Sequence, residues 1–206
     1  MKMDIPQIAY RLNELAIEGN YKISELQKIR GSSFKNLFSG HSIFDDYFFH
    51  TGGRTETQFN VGMDWIEGKD VLRYGIAFSF QRGINLKNPI ETISPRIDKL
   101  NDFINSHKND FSDTSMWYHW DDENGKRQFL PAQRVGAIPA QWIGLNNFLF
   151  VGKYFTKELS ELTDNEISEI LLFFDRILPI YEFIEQGVKN LPIVLNKISK
   201  ICWNTN

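Results

Sequence analysis

Two consecutive segments in which apolar and polar residues alternate strictly limit the folds open to this chain. In "TETQFNVGMDWI", residues 55–66, Phe, Val and Met alternate with Gln, Asn and Asp, and "VLRYGIAFSFQ", residues 71–81, repeats the pattern. A period of two residues is typical of a strand with one face in a core. The intervening "EGKD" provides Gly68 for a tight turn, so the pair predicts a β-hairpin.

The polar face of this hairpin combines hydrogen-bonding side chains with little bulk. It carries charged and amide side chains between small residues: Glu56, Gln58, Asn60, Gly62, Arg73, Gly75 and Ala77. Small residues let a backbone, a base edge or a packed helix come close to the strands. The face is therefore either solvated or built to contact a polar partner.

Helical patterns flank the hairpin. Apolar spacing predicts helices over residues 5–19, 22–30 with Ser24 as N-cap, 95–107 with Pro95 in the first turn, and 163–186. "SMWYHWDDENGKRQF" predicts a second hairpin and "QWIGLNNFLFVGKYF" one or two further strands. We expect an α+β fold in one domain, with helices at both chain ends of a twisted, mostly antiparallel sheet. Residues 1–30 would be N-terminal helices, 31–187 the α+β recognition domain and 188–206 an amphipathic tail.

Composition narrows the functional classes. The net charge is −3 over 206 residues, so nucleic-acid binding would need a local basic patch. The aromatic share of 14% suggests a β-rich core or an aromatic pocket. The single cysteine, Cys202, excludes an internal disulfide framework. The first residues lack a signal-peptide core and no apolar run approaches about 18 residues, so we expect a soluble, cytoplasmic protein without a membrane partner.

Two sets of acidic and histidine residues are candidate metal sites. Restriction-type endonucleases hold Mg²⁺ with acids before and on a strand, and Asp46 (or Asp45), Glu56 and Gln58 have a comparable order. Glutamine stands where such enzymes usually have lysine, so a solvated strand face is the alternative. His41, Asp45, Asp46 and His50 could form a mixed nitrogen and oxygen cluster, or be hydrogen-bonding loop residues.

The segment "SMWYHWDD" concentrates aromatic rings. At strand alternation Tyr118 and Trp120 share one face and Trp117 lies on the other. One set can anchor the core while the other stacks on a base. Lys126 and Arg127 follow at the predicted hairpin tip and could contact phosphates. The alternative is that the rings are core and the Lys-Arg pair is a solvated turn.

The segments "GKDVLRYGIAFSF" and "FDRILPIYEFIE" resemble the N-terminal DNA-recognition domains of McrB-type modification-dependent restriction proteins. The resemblance implies an α+β domain that flips a modified cytosine into an aromatic pocket. The family's GTP-binding motor half has no counterpart in this sequence, so any cleavage would come from a partner, such as a nuclease domain or subunit, or from a further C-terminal region.

The sequence therefore predicts a module that binds double-stranded DNA in a prokaryotic restriction or phage-defence system. It would need no cofactor, and Mg²⁺ only if it is an endonuclease. A protein-interaction subunit of a nuclease complex is a third possibility. The expected DNA contacts are Arg54, Gln58, Asn60, Arg73, Tyr74, Trp117, Tyr118, Trp120, Lys126 and Arg127.

Overall fold

The two alternating segments form the centre of an antiparallel sheet. The computed structural model describes residues 3–26, 36–50, 57–66, 68–80, 89–119, 129–131, 135–136 and 148–185. Within these ranges the strands are β1 (Tyr47–Phe49), β2 (Gln58–Ile66), β3 (Lys69–Ser79), β4 (Ser115–His119), β5 (Phe129–Pro131) and β6 (Phe148–Phe155). The helices are α1 (Ile5–Glu18), α2 (Pro89–Ser106) and α3 (Asp164–Glu185). The predicted α+β fold is confirmed.

The predicted hairpin is formed by β2 and β3. Its register places Asn60 opposite Gly75 and Gly62 opposite Arg73, so the polar residues of both strands share a face. Gly68 has a φ of +83°, a conformation that residues with a Cβ rarely adopt. The turn chemistry in the sequence therefore fixed both the hairpin and its register.

The six strands do not follow chain order. The order in the sheet is β1-β2-β3-β6-β4-β5, because β6 inserts between β3 and β4. Gly75 and Gly152 lie directly opposite each other, and a Cβ on Gly75 would lie 2.6 Å from the Gly152 Cα. Glycine at both positions lets β3 and β6 approach closely. β4 pairs antiparallel with β5, as the predicted second hairpin requires, and the turn predicted around Glu123-Asn124-Gly125 lies outside the described residues.

The three helices cover one face of the sheet. Ile8 of α1, Leu100 of α2 and Phe174 of α3 lie in one core cluster with Phe59 and Ile76 of the sheet. Burying a side chain of this size contributes about 1.5–3 kcal/mol, which explains why the helices keep their apolar stripes inward.

Polar contacts fix the two terminal helices to each other. Asp4 caps α1 through a capping box with Gln7. Arg11 of α1 donates two hydrogen bonds to Asp164, at the start of α3. Asp175 of α3 accepts from the backbone N–H of Ile23 over 2.7 Å.

Two helix boundaries differ from the prediction. The helix predicted to begin at Pro95 begins earlier, at Pro89, so Pro95 lies inside α2. Pro89 suits the first position of the helix, because the backbone N–H that proline lacks would have no helical acceptor there. Ser24 is not an N-cap, because it lies within a 3₁₀ turn, Lys22–Glu25, and its hydroxyl donates to the Tyr21 carbonyl. Residues 27–30 of the predicted second helix, and the tail 188–206, lie outside the described residues.

The predicted helix over residues 163–186 is confirmed as α3. Its start is held by Glu166, whose carboxylate accepts from the backbone N–H and the hydroxyl of Thr163, both over 2.8 Å. Among the helices that the structure describes, none is long and apolar enough to cross a membrane.

Candidate nucleic-acid interface

The register of the sheet sorts its side chains onto two faces with different surroundings. The helices cover the face that carries Phe59 and Ile76. The opposite face, called here the second face, carries these residues of the four central strands: Gln58, Asn60, Gly62, Asp64, Arg73, Gly75, Ala77, Trp117, Phe148 and Phe150. The polar alternation of the sequence therefore lies on the side of the sheet away from the helices.

Hydrogen bonds link the polar side chains of the second face. Asn60 donates from Nδ2 to Gln58 Oε1 over 3.1 Å, and a terminal guanidinium nitrogen of Arg73 donates to Asn60 Oδ1 over 2.5 Å. Arg73 Nε lies 3.4 Å from Asp64 Oδ2 in an ion pair. All four side chains are buried. The face is therefore an internal polar network, since buried polar groups persist only when they have partners.

Asp64 joins this network to the aromatic part of the second face. Its Oδ2 accepts a hydrogen bond from the Trp117 indole over 3.0 Å, and its Oδ1 accepts from the backbone N–H of Trp65 over 2.7 Å. The Trp117 ring packs against Phe150, with 4.5 Å between the ring centroids. These donors matter because an uncompensated buried carboxylate costs several kcal/mol.

Arg73 is a desolvated cation between aromatic rings. Its side chain is 4% exposed, and the guanidinium carbon lies 4.8 Å from the ring centroid of Phe148 and 4.7 Å from that of Phe150. Burial lowers the pKa of Arg73 to about 9, although the charge of Asp46 opposes the shift. The guanidinium is still protonated at neutral pH. Among the described residues, its Nε–H has no acceptor aligned for a hydrogen bond, and Asp64 contributes charge alone.

Five of the predicted DNA contacts are buried and so are not surface contacts. Arg73 is buried in the network, because Asn60 and Asp64 compensate its charge inside the protein. Trp117 is fully buried and its indole N–H is engaged by Asp64. Tyr74 lies in the helix-covered core with its ring centroid 4.8 Å from that of Phe155. Burial also raises the pKa of the Tyr74 phenol.

The other predicted DNA contacts divide into two groups. Gln58 and Asn60 lie on the predicted face, but both side chains are buried within the network. Of Tyr118 only the backbone, in β4, is described. The remaining predicted contacts lie outside the described residues: Arg54, Trp120, Lys126 and Arg127.

The predicted Mg²⁺ centre of Asp46, Glu56 and Gln58 is wrong as a set. The backbone N–H of Met63 donates to the Asp46 carbonyl over 2.8 Å, so Asp46 lies beside Met63. Met63 and Gln58 are separated by five residues of β2, which is roughly 16 Å at about 3.3 Å per residue. One Mg²⁺ ion needs its ligands about 2.1 Å away, so Asp46 and Gln58 cannot share it. Glu56 lies outside the described residues.

The predicted histidine and aspartate cluster is also not formed. His50 is buried, its Nδ1 accepts from the backbone N–H of Phe59 over 2.9 Å, and its ring packs edge-on against Tyr181. His41 is exposed beside Ser39. Over the described ranges, no group of three or more His, Cys, Asp or Glu side chains could hold a metal ion.

One end of the sheet collects six strand termini. β1, β3 and β4 end there and β2, β5 and β6 begin there, as the antiparallel register requires. We call this end the strand-end rim and define it by the terminal residues Phe49, Gln58, Ser79, His119, Phe129 and Phe148. Residues 51–56, 81–88, 120–128 and 137–147 are each joined in sequence to this rim.

Sequence reasoning did not consider two cations in a segment joined to the rim. Arg82 and Lys87 stand in the segment between β3 and α2, which lies outside the described residues, as do the segments of the predicted Arg54, Lys126 and Arg127. The end of the alternating pattern at Phe80 could have indicated Arg82, because it shows that Arg82 follows a strand in the sequence. The same segments carry the acids Glu56, Asp121, Asp122 and Glu123, so any positive field there would be local.

Phe148 is the second residue that was missed. Phe148 is half-buried and begins β6 at the rim. In "FLF", Phe148 and Phe150 are two residues apart, so both rings lie on the second face, where they contact each other. Its ring also lies against the Arg73 guanidinium.

Comparison with protein-family models, with curated proteins and with solved structures finds no match for this chain.

Proposed function

We propose that this chain is a DNA-recognition module that binds double-stranded DNA at the strand-end rim. One observation carries the proposal: six strand termini, a half-buried aromatic ring and the last amide of the polar network meet at one end of the sheet. Loops presented by a rigid sheet are a common way to position recognition residues.

Phosphate contacts would come from the segments joined to the rim. In the described part, the cations Arg11, Arg96, Lys153, Lys157 and Arg176 each lie in an ion pair with a carboxylate of the protein. Lys22 and Lys69 are exposed as well, but the cations in the segments joined to the rim are Arg54, Arg82, Lys87, Lys126 and Arg127, and these would supply the phosphate contacts. Contacts of this kind position a protein on DNA without reading its sequence.

Base contacts would come from the rim end of the second face. The ring of Phe148 offers a stacking surface, and base stacking on aromatic side chains contributes about 1–3 kcal/mol. The amide of Gln58 is buried, so it would support the site from within the polar network rather than read a base edge. The buried pair of Arg73 and Asp64 would hold these groups in place. The base bound there would be a flipped or modified one if the resemblance to the McrB-type recognition domains extends to function.

The setting follows from the same resemblance. A recognition module of a restriction or phage-defence system would act on DNA in the cytoplasm and would leave cleavage to a nuclease domain or subunit. The Mg²⁺ centre of Asp46, Glu56 and Gln58 is not part of this proposal, because Asp46 lies at the end of β2 away from the rim.

A gel-shift series tests the proposal with two charge-matched variants. Duplexes with plain cytosine, 5-methylcytosine and 5-hydroxymethylcytosine are titrated at low salt with the wild type, Arg127→Ala and Lys69→Ala. Lys69 is exposed at the hairpin end of the sheet, so both variants lose one positive charge, at opposite ends.

We expect Arg127→Ala alone to weaken binding and to reduce the slope of log K against log salt by about 1. Absence of binding to all three duplexes at low salt would refute the proposal. Equal losses in the two variants would place the DNA elsewhere than at the rim.

A further inference from the structure

The end of the sheet opposite the strand-end rim contains a separate cavity. Its volume is about 1010 Å³, and it lies between the start of α1, the residues that precede β1, the β2–β3 turn and residues 156–160. This size is at the upper end for small-molecule sites, which span about 300–1,000 Å³.

An exposed tryptophan forms part of the cavity wall. Trp65 is 53% exposed, whereas Trp117 of the same sheet is fully buried. Trp65 is paired directly opposite Asp70 across β2 and β3, and Asp70 also lines the cavity. Side chains in such opposed positions have Cβ atoms about 4.5–5.5 Å apart. A carboxylate therefore stands beside a solvent-facing indole.

The charge of the lining is negative. Asp45, Asp70 and Glu158 are exposed carboxylates on its wall, and Asp46 adds a fourth that also interacts with buried Arg73. Asp4, which caps α1, is the fifth carboxylate of the lining. Two cations line the cavity as well. Lys157 is engaged by Glu166 in an ion pair, which leaves Lys69 to offset the carboxylates.

An indole face beside carboxylates is suited to a basic side chain. A guanidinium or ammonium group within about 6 Å of an indole centroid is attracted by the ring, and arginine is the commoner partner. Phosphate and other anions would be repelled by the same carboxylates. The charge of the wall therefore selects against nucleic acid at this end.

We propose that this cavity docks a basic peptide segment of a partner protein. An arginine or lysine of the segment lies on the face of Trp65 with its charge toward Asp70, and a second basic residue meets Asp45 or Glu158. The site is on the far end of the sheet from the strand-end rim, so it does not depend on DNA binding.

Isothermal titration tests this with two pentapeptides, acetylated and amidated, of sequence ARLRA and AELEA. The full chain is titrated at about 20 mM salt, where surface attraction is weakly screened. Trp65→Thr removes the ring and keeps a residue that favours strands, and Asp70→Asn removes one charge. Leu172→Ala and Asp102→Asn are the matched controls, since both residues are exposed on helices away from the cavity.

We expect ARLRA to bind and AELEA not to bind. Trp65→Thr and Asp70→Asn should each weaken ARLRA about threefold to tenfold while the controls leave it unchanged. Thermal melts establish whether each variant is folded. If Trp65→Thr is not folded, the affinity of Asp70→Asn for ARLRA decides the test. No binding of ARLRA, equal binding of both peptides, or unchanged affinity in both cavity variants would overturn the proposal.

Discussion

Removing the charge of Asp64 should destabilise this protein more than any surface substitution. The carboxylate is buried, lies 3.4 Å from Arg73 Nε, and accepts hydrogen bonds from Trp117 Nε1 and the Trp65 backbone. Breaking a buried pair by removing one partner costs about 3–5 kcal/mol, because the other charge is left uncompensated. The Asp64→Asn side chain still offers an oxygen to one of the two donors, so we expect the free energy of unfolding to fall by about 3 kcal/mol, the lower end of this range.

The same reasoning predicts a large coupling between Asp64 and Arg73. Arg73→Met alone leaves the Asp64 carboxylate buried without its cation and should also cost about 3 kcal/mol. The double variant leaves neither charge. Its loss should therefore be smaller than the sum of the two single losses, by about 1–3 kcal/mol.

Urea unfolding followed by circular dichroism measures these free energies, with the m-value as a check that the transition stays comparable. Asp70→Asn is the control, since its carboxylate is exposed on the same hairpin and should change stability by no more than about 0.5 kcal/mol. The pairing of the two charges would be refuted if Asp64→Asn lowered the free energy of unfolding by no more than this control. It would also be refuted if the loss in the double variant equalled the sum of the two single losses.

Three further perturbations test other parts of the account. The pKa of Glu166 is lowered to about 2 by Lys157 and by the backbone N–H of Thr163, so the stability that it contributes is present above its ordinary pKa near 4.5 and is lost as pH falls toward 2. Melting temperatures at pH 6 and about pH 2.5 should fall less in Glu166→Gln than in the wild type, and an equal fall would contradict this. Gly75→Ala should cost about 1–3 kcal/mol in urea because its Cβ meets the facing strand, whereas Gly40→Ala, with open space around it, should be near neutral. Phe148→Leu should weaken the preferred duplex by about 1–3 kcal/mol without a change in salt slope, while Phe155→Leu at the other end of β6 should not; equal effects would exclude stacking at the rim.

Local patterns predicted the parts of the fold that depend on neighbours in sequence. The alternation over residues 55–81 and the glycine at position 68 correctly gave β2, β3 and the residues that share each face, and helical spacing gave α1 and α3. The insertion of β6 between β3 and β4 could not be read in this way. The paired residues Gly75 and Gly152 are 77 positions apart in the sequence, and no local pattern encodes such a pairing.

The candidate site shows the same limit. The sequence placed Gln58, Asn60 and Arg73 on one face, but it could not show whether that face is solvated. Arg73 is buried, and Phe148 and Phe150, from a distant strand, lie against its guanidinium. Alternation determines which residues share a face, whereas burial depends on what the rest of the chain packs there.

Hydrogen–deuterium exchange with and without a bound duplex tests DNA binding at the strand-end rim most directly. The account predicts that DNA slows exchange in peptides that cover residues 49–58, 79–88, 119–129 and 140–149, which contain the strand termini of the rim and the segments joined to them. Peptides that cover the β2–β3 turn, residues 64–71, should exchange at the same rate in both states, because the turn lies at the opposite end of the sheet. Protection of the turn, or of α1 and α3, with unchanged exchange at the rim would contradict the account.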